Sequence, residues 1–281
     1  VQRSALPQLQ RRLTVSGPPT LGGAPTSTHF EAVHPLVPSA PMTVSGRALV
    51  IPTWNEAERI EATVVAISES ALGASDLTVI LADDGSTDAS RSVAAAALER
   101  TGQKGEVLAL PHTGKGGAVR AGVLHAESPW IVFTDADLSA PPEDIERVFA
   151  ALEAGKGQVV AGTRISDLGA PAPPMRKAAR VVMRWVVRTL KLTSVPDTQC
   201  GLKGFSRDVG REILEPLQTD GFAFDVELLA RAEHLGVTIH TEPVGWRHGE
   251  GSTVRVLRDA PAMLGQMLGM LWRRRSWPRD I

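Results

Sequence analysis

The chain has 281 residues, 43% hydrophobic and 22% charged, a size that suits one large domain or two small ones and excludes a peptide held together by staples. With 30 Lys and Arg against 31 Asp and Glu, the net charge of −1 argues against a dedicated nucleic-acid binder. Its single cysteine, Cys200, excludes an intramolecular disulfide and a multi-cysteine zinc site and suits a reducing compartment, and no run reaches the ~18 uninterrupted apolar residues of a membrane-spanning helix.

Residues 1–41 hold seven of the 20 prolines, many Ser, Thr and Gly, and no apolar periodicity, which predicts a disordered tail. Met42 directly precedes the first strand-like run and is read as a candidate natural start. From Arg47 onward, strands at Arg47–Ile51, Leu77–Ala82, Glu106–Leu110, Trp130–Thr134 and Gln158–Ala161 alternate with helices at about Glu56–Leu72, Thr87–Arg100, Gly116–Ala126 and Pro142–Glu153. Ser86 or Asp84 is the expected cap of the second helix, and Pro142 opens the fourth. This is the pattern of an α/β domain with a largely parallel sheet, whose ligands bind beyond the carboxyl ends of the strands. A long helix over Pro174–Leu192 follows, then strand and turn at Asp197–Ser206, a helix near Phe224–Leu235, a strand near Val237–Glu242, and an amphipathic basic helix within 257–281.

The polar motifs fall at strand ends. Asp135 and Asp137, one residue apart after an apolar strand, can aim two hard carboxylates at the ligand edge and hold Mg²⁺ or Mn²⁺ against a diphosphate; a solvated turn that caps the next helix is the alternative. Asp83-Asp84-Gly85-Ser86 ends a second apolar strand, where a plain turn is again the alternative. Two acidic strand ends facing one cleft repel unless a cation or donors compensate them, so the pair points to a metal-nucleotide site. Gly114-Lys115-Gly116-Gly117 precedes a helix whose amino end can receive phosphate oxygens, yet it is not a P-loop, since Gly116 stands where Ser or Thr is required. The dinucleotide fingerprint is absent after the first strand, where Ile51-Pro-Thr-Trp-Asn-Glu56 stands instead.

Over about residues 47–258, the order of these motifs resembles glycosyltransferase family 2, and within it the dolichyl-phosphate glucosyltransferases and related polyprenyl-phosphate hexosyltransferases. Gly162-Thr-Arg164, Asp197-Thr-Gln-Cys-Gly-Leu-Lys203 and Phe224-Asp-Val-Glu227 complete the match, the last two carrying the narrower likeness. The resemblance implies a GT-A-type (Rossmann-like) nucleotide-sugar-binding domain over 42–256 and an inverting, metal-dependent hexosyl transfer from UDP-glucose to a polyprenyl or dolichyl phosphate. It implies that Pro52, Thr53, Glu56 and Asp84 line the nucleoside pocket, that Asp83 supports it, and that Asp135 touches the ribose and, with Asp137, the metal. Lys115 and Arg164 would lie beside the phosphates. Arg247 matches a mobile-loop arginine, and Arg176, Arg180 and Lys203 join it as acceptor candidates. Ser139 replaces a Gln that some relatives use as a metal ligand, and Thr253 replaces a usual Lys.

Arg176, Arg180, Arg184 and Arg188 recur every fourth residue on the 174–192 helix, either as a solvated face or as a phosphate clamp at a membrane surface. The last helix can equally pack on the core, join two subunits of a homodimer or anchor at an interface. The expected location is cytoplasmic, with peripheral contact to the cytoplasmic membrane face left open. A phosphate acceptor is already ionised and needs no strong base; a hydroxyl acceptor would need one, for which Asp197 is the candidate, backed by Asp225 or Glu227. A family 2 enzyme with a soluble hydroxyl acceptor, a sugar-phosphate nucleotidyltransferase and a non-catalytic nucleotide or membrane-surface binder remain as rivals.

Overall fold

Residues 46–168, 174–247 and 256–277 are described by the computed structural model; the expected tail over 1–41 and the Met42 start lie outside them. The elements follow in the order β1 (Arg47–Thr53), α1 (Ile60–Ser68), β2 (Leu77–Asp83), α2 (Ser90–Thr101), β3 (Gly105–Ala109), α3 (Lys115–His125), β4 (Trp130–Phe133) and α4 (Pro142–Glu153). The second half carries β5 (Val159–Leu168), α5 (Pro174–Thr189), β6 (Lys203–Ser206), α6 (Arg207–Leu214), α7 (Phe224–His234), β7 (Ile239–Arg247) and α8 (Val256–Arg273), closed by a 3₁₀ turn at Arg274–Ser276.

Seven strands form one mixed sheet in the order β3-β2-β1-β4-β6-β5-β7. All are parallel except β6, which runs antiparallel to both β4 and β5. Period-two alternation splits the side chains of β1: Leu49 and Ile51 join α1, α2 and α4 on one face, while Ala48 and Val50 join α3, α6 and α7 on the other. Each large apolar side chain buried in these layers contributes roughly 1.5–3 kcal/mol. A third cluster lies outside α7, where Met263, Met267 and Met270 of α8 and Val187 of α5 pack with Ala223, Val226 and Ala230. The last helix therefore packs on the body through its methionine stripe. No helix among the described residues is long and apolar enough to cross a membrane.

Chain order reverses at β1, with β2 on one side and β4 on the other, which opens a crevice beyond their carboxyl ends. Three departures from the expected elements have local causes. Helix α1 starts later than Glu56 because the amides of Asn55, Glu56 and Ala57 are held by the side chains of Ser86, Ser90 and Asp88, and Asn55 has φ 53°. Helix α2 is opened by neither Ser86 nor Asp84: its cap position is Ala89, which has no side-chain cap bond, and Asp88 just before it accepts the Ser90 amide at 2.9 Å. Strand β5 runs on to Leu168 because β7 pairs with it as far as Arg247.

Candidate functional site

Backbone-to-side-chain bonds lace the first two strand-end motifs together. Besides the three amides above, Asn55 Oδ1 accepts the Thr87 amide at 2.9 Å, and Trp54 stacks on His112 with centroids 5.0 Å apart. Pro52 is half-buried, and Thr53 is buried with its hydroxyl donating to Ile51 O at 3.1 Å. Glu56 pairs with Arg59 at 2.6 Å. Burial pushes the Glu56 carboxyl up, Arg59 pulls it back, and Asp137 and Asp88 push it up again.

Asp83 and Asp84 are held differently. Asp84 accepts the amides of Thr113 at 2.7 Å and Gly114 at 2.9 Å, one on each oxygen, and so braces the loop that opens α3. Gly114 itself sits at φ 119°, and a Cβ there would meet Asp220 O at 2.6 Å, so only glycine fits that entry. Asp83 is 1% exposed; its Oδ2 accepts the Ser86 amide at 3.1 Å, while its Oδ1 is buried without a partner. The acceptor left without a partner is thus on Asp83, while both oxygens of Asp84 are engaged.

The half-buried Lys115, first residue of α3, donates to Asp135 Oδ1 at 2.5 Å. Burial opposes its charge, but Asp135, Asp225 and Asp137 hold its pKa above the ordinary lysine value. On the far side of Asp135 lies Gly201, where a Cβ would stand 2.1 Å from Asp135 Oδ2. Gly201 therefore brings bare backbone against the carboxylate. The Asp137 Oδ1 accepts the Ser139 amide at 2.9 Å, and among the described residues no cation pairs with it. Ser139 O in turn accepts the amide of Arg247 at 2.7 Å, which sets this exposed arginine beside the acidic loop.

Asp137, half-exposed and close enough to Glu56 for the two carboxylates to interact, is a hard oxygen site that fits Mg²⁺ or Mn²⁺. Among the described residues no three His, Cys, Asp or Glu gather around one point. An ion here would take its remaining oxygens from a diphosphate and water, the usual mode for Mg²⁺.

Arg164 and Asp197 form a bidentate pair, with Nε to Oδ2 at 2.8 Å and Nη2 to Oδ1 at 2.6 Å, and Trp246 lies 5.1 Å from the guanidinium carbon. Burial would raise the Asp197 carboxyl, yet Arg164 holds it below the usual range. Both oxygens of Asp197 are thereby engaged by Arg164. Lys203 is 0% exposed and donates to Asp225 at 2.6 Å and to Cys200 O at 2.6 Å. Both bonds lie inside the core, away from the surface. Asp225 is taken by that pair, and Glu227, 0% exposed, by Arg231 at 2.9 Å and the Thr219 hydroxyl at 2.5 Å. Burial pushes the Cys200 thiol up to about 12, leaving it inert. Arg180 is half-exposed on α5; the side chain of Arg176 lies outside the described residues. Sequence reasoning missed Gly201, Asp88 and the Trp54–His112 stack. Gly201, Asp88 and Trp54 each lay inside a motif, at 197–203, 83–88 and 51–56, and only His112 had no such signal.

Residues 48–218 match the family described as Glycosyl transferase family 2. The chain is 32% identical over 242 residues to the dolichyl-phosphate beta-glucosyltransferase of Drosophila melanogaster, a match covering 80% of this chain and 74% of that one. It is 28% identical to glycosyltransferase AglD of Haloferax volcanii over 83% of this chain but only 38% of that longer protein. Among solved structures, glucosyl-3-phosphoglycerate synthase of Mycobacterium tuberculosis, in complex with Mn²⁺, uridine diphosphate and glucosyl-3-phosphoglycerate, has a TM-score of 0.61 at 26% identity, over 83% of this chain and 81% of that one. The seven-stranded, mostly parallel sheet is similar to those of GT-A glycosyltransferases.

Proposed function

Because the chain belongs to glycosyltransferase family 2, we propose that it moves glucose from UDP-glucose to a polyprenyl or dolichyl phosphate, with inversion at the anomeric carbon, at the cytoplasmic face of a membrane. Asp83 Oδ1 would accept a donor N–H of the base, between Pro52, Thr53 and the Trp54–His112 stack. Asp135 would meet the ribose. Asp137, with Asp135, would hold a divalent cation that neutralises the diphosphate. Lys115 and Arg164 would stabilise the departing diphosphate as its bond to C1 breaks, while an acceptor phosphate oxygen forms the new bond from the opposite side. Arg247 and Arg180 would meet the acceptor phosphate.

The observation that carries the choice of acceptor is the state of the three carboxylates a hydroxyl acceptor would need as a base: Asp197, Asp225 and Glu227 are each consumed by an ion pair. A phosphate acceptor needs none of them. The Drosophila relative supports the same reading by name. The soluble-acceptor alternative is favoured by the likeness to glucosyl-3-phosphoglycerate synthase. Screening UDP-glucose, UDP-galactose, UDP-N-acetylglucosamine and GDP-mannose, each with a short polyprenyl phosphate or with 3-phosphoglycerate, tests the proposal. UDP-glucose with the lipid phosphate should turn over fastest; turnover only on phosphoglycerate would transfer the assignment to the soluble class.

The Gly201→Ala variant should fold normally yet raise the KM for UDP-glucose by about tenfold, because its methyl group displaces the Asp135 carboxylate from Lys115. Initial rates across a donor titration check this. An unchanged KM would mean that Asp135 is not part of the donor site.

A further inference from the structure

A closed ring of contacts joins the start of α3, the loop after β4, the start of β6 and the start of α7. Lys115 donates to Asp135 Oδ1 at 2.5 Å, and the other oxygen of Asp135 lies against Gly201. One residue earlier, Cys200 O accepts from Lys203 at 2.6 Å, and Lys203 donates in turn to Asp225 Oδ1 at 2.6 Å. Asp225 leads back to Lys115 through its neighbour Phe224: a Cβ on Gly116 would stand 2.6 Å from Phe224 Cβ, and the Lys115 Nζ is 6.0 Å from the centre of the Phe224 ring. The charges alternate in sign along Asp135, Lys115, Asp225 and Lys203. Stability alone is a poor reason for the Lys203–Asp225 pair, because apolar side chains of the same volume usually serve a core as well as a buried ion pair does. Its place beside Lys115 supplies a better one.

We propose that Asp225 is a positioning residue for the donor diphosphate: fixed by Lys203, it keeps the Lys115 ammonium in the cleft when Asp135 is given over to the ribose and the cation. The proposal rests on the reading above that Lys115 meets the diphosphate. Lys115 donates to the very carboxylate that the donor and its cation would use. Burial works against the Lys115 charge, and the fields of Asp135, Asp225 and Asp137 work for it. A divalent ion on Asp135 and Asp137 would engage two of these three carboxylates and repel the ammonium as well. Asp225 is the one left to hold it. Being 4% exposed and bonded to the fully buried Lys203, Asp225 cannot itself be drawn toward the ion. The Lys203–Asp225 pair thus supplies a fixed negative charge behind Lys115, and Lys115 can change partner from Asp135 to a phosphate oxygen without leaving its place.

Calorimetric titration of UDP into the full chain, with and without Mn²⁺, tests this without an acceptor and without turnover. The K203M/D225L variant should melt close to wild type and bind UDP alone as wild type does, yet lose about tenfold in affinity for UDP when Mn²⁺ is present. Lys115→Met should show the same metal-dependent loss. The triple variant K115M/K203M/D225L should lose no more than Lys115→Met alone, because Asp225 acts through Lys115. If the apolar pair impairs folding, K203Q/D225N, which keeps both shapes without the charges, gives the same comparison. Unchanged affinity of K203M/D225L in Mn²⁺, a loss of equal size with and without the metal, or losses that add in the triple variant would each overturn the proposal. The reading beneath it fails in a different way. A Lys115→Met protein that binds UDP and Mn²⁺ as wild type does would remove Lys115 from the diphosphate and the proposal with it, whereas a loss in Lys115→Met without one in K203M/D225L would overturn the role of Asp225 alone.

Discussion

The Asp137→Asn variant is expected to keep its fold and lose activity by about 10²- to 10³-fold, since an amide supplies no charge to hold a divalent cation on the diphosphate. The environment makes the charge matter. Among the described residues no cation pairs with Asp137, and the hydrogen bond it accepts there comes from the Ser139 amide. An amide oxygen can still accept that bond, so the turn survives while the cation loses its anchor. Relief of repulsion from Glu56 would if anything make the variant slightly more stable. Steady-state rates in Mg²⁺ and in Mn²⁺, with a thermal melt on the same sample, measure both halves. Near-normal turnover by a folded Asp137→Asn protein would remove this residue from the chemistry.

Lys203→Met should instead destabilise the fold, by about 3–5 kcal/mol, because it leaves the buried Asp225 carboxylate without its counter-ion. Burial already pushes that carboxyl up, and Lys203 and Lys115 only partly offset it. For a domain of this size, the loss corresponds to a fall in melting temperature on the order of 10 °C. The double variant K203M/D225L, which removes both charges, should recover most of the difference. Denaturant melts of the three proteins check the ordering. A Lys203→Met protein as stable as wild type would show that the pair is not buried as described.

The same buried pair shows where the sequence stopped being informative. Periodicity placed α4 over its full length, because Pro142 fixes its start and an amphipathic stripe runs to Glu153. It also aimed Asp83, Asp84, Asp135 and Asp137 at one sheet edge, because strand-end carboxylates in a parallel sheet have nowhere else to converge. What it could not read was pairing between distant segments. Lys203 and Asp225 are 22 residues apart, and Arg164 and Asp197 are 33 apart. Each of the four looks like a free charge in one dimension. Folding makes two ion pairs of them, and neither pairing shows in one dimension. Helix α6 went unread because it has only eight residues, although Val209, Ile213 and Leu214 already marked one face. The antiparallel β6 was hidden for a related reason: four residues carry no direction, and only its register with Phe133 and Ala161 fixes it.

Analysis of the product formed from UDP-glucose, a short polyprenyl phosphate and Mn²⁺ tests the central claim most directly. The account predicts equimolar UDP and an organic-soluble glucosyl phosphate whose anomeric proton reports the β configuration, inverted from the donor. A product in the α configuration would contradict direct displacement, and UDP released with glucose found only in water-soluble material would contradict the lipid acceptor itself.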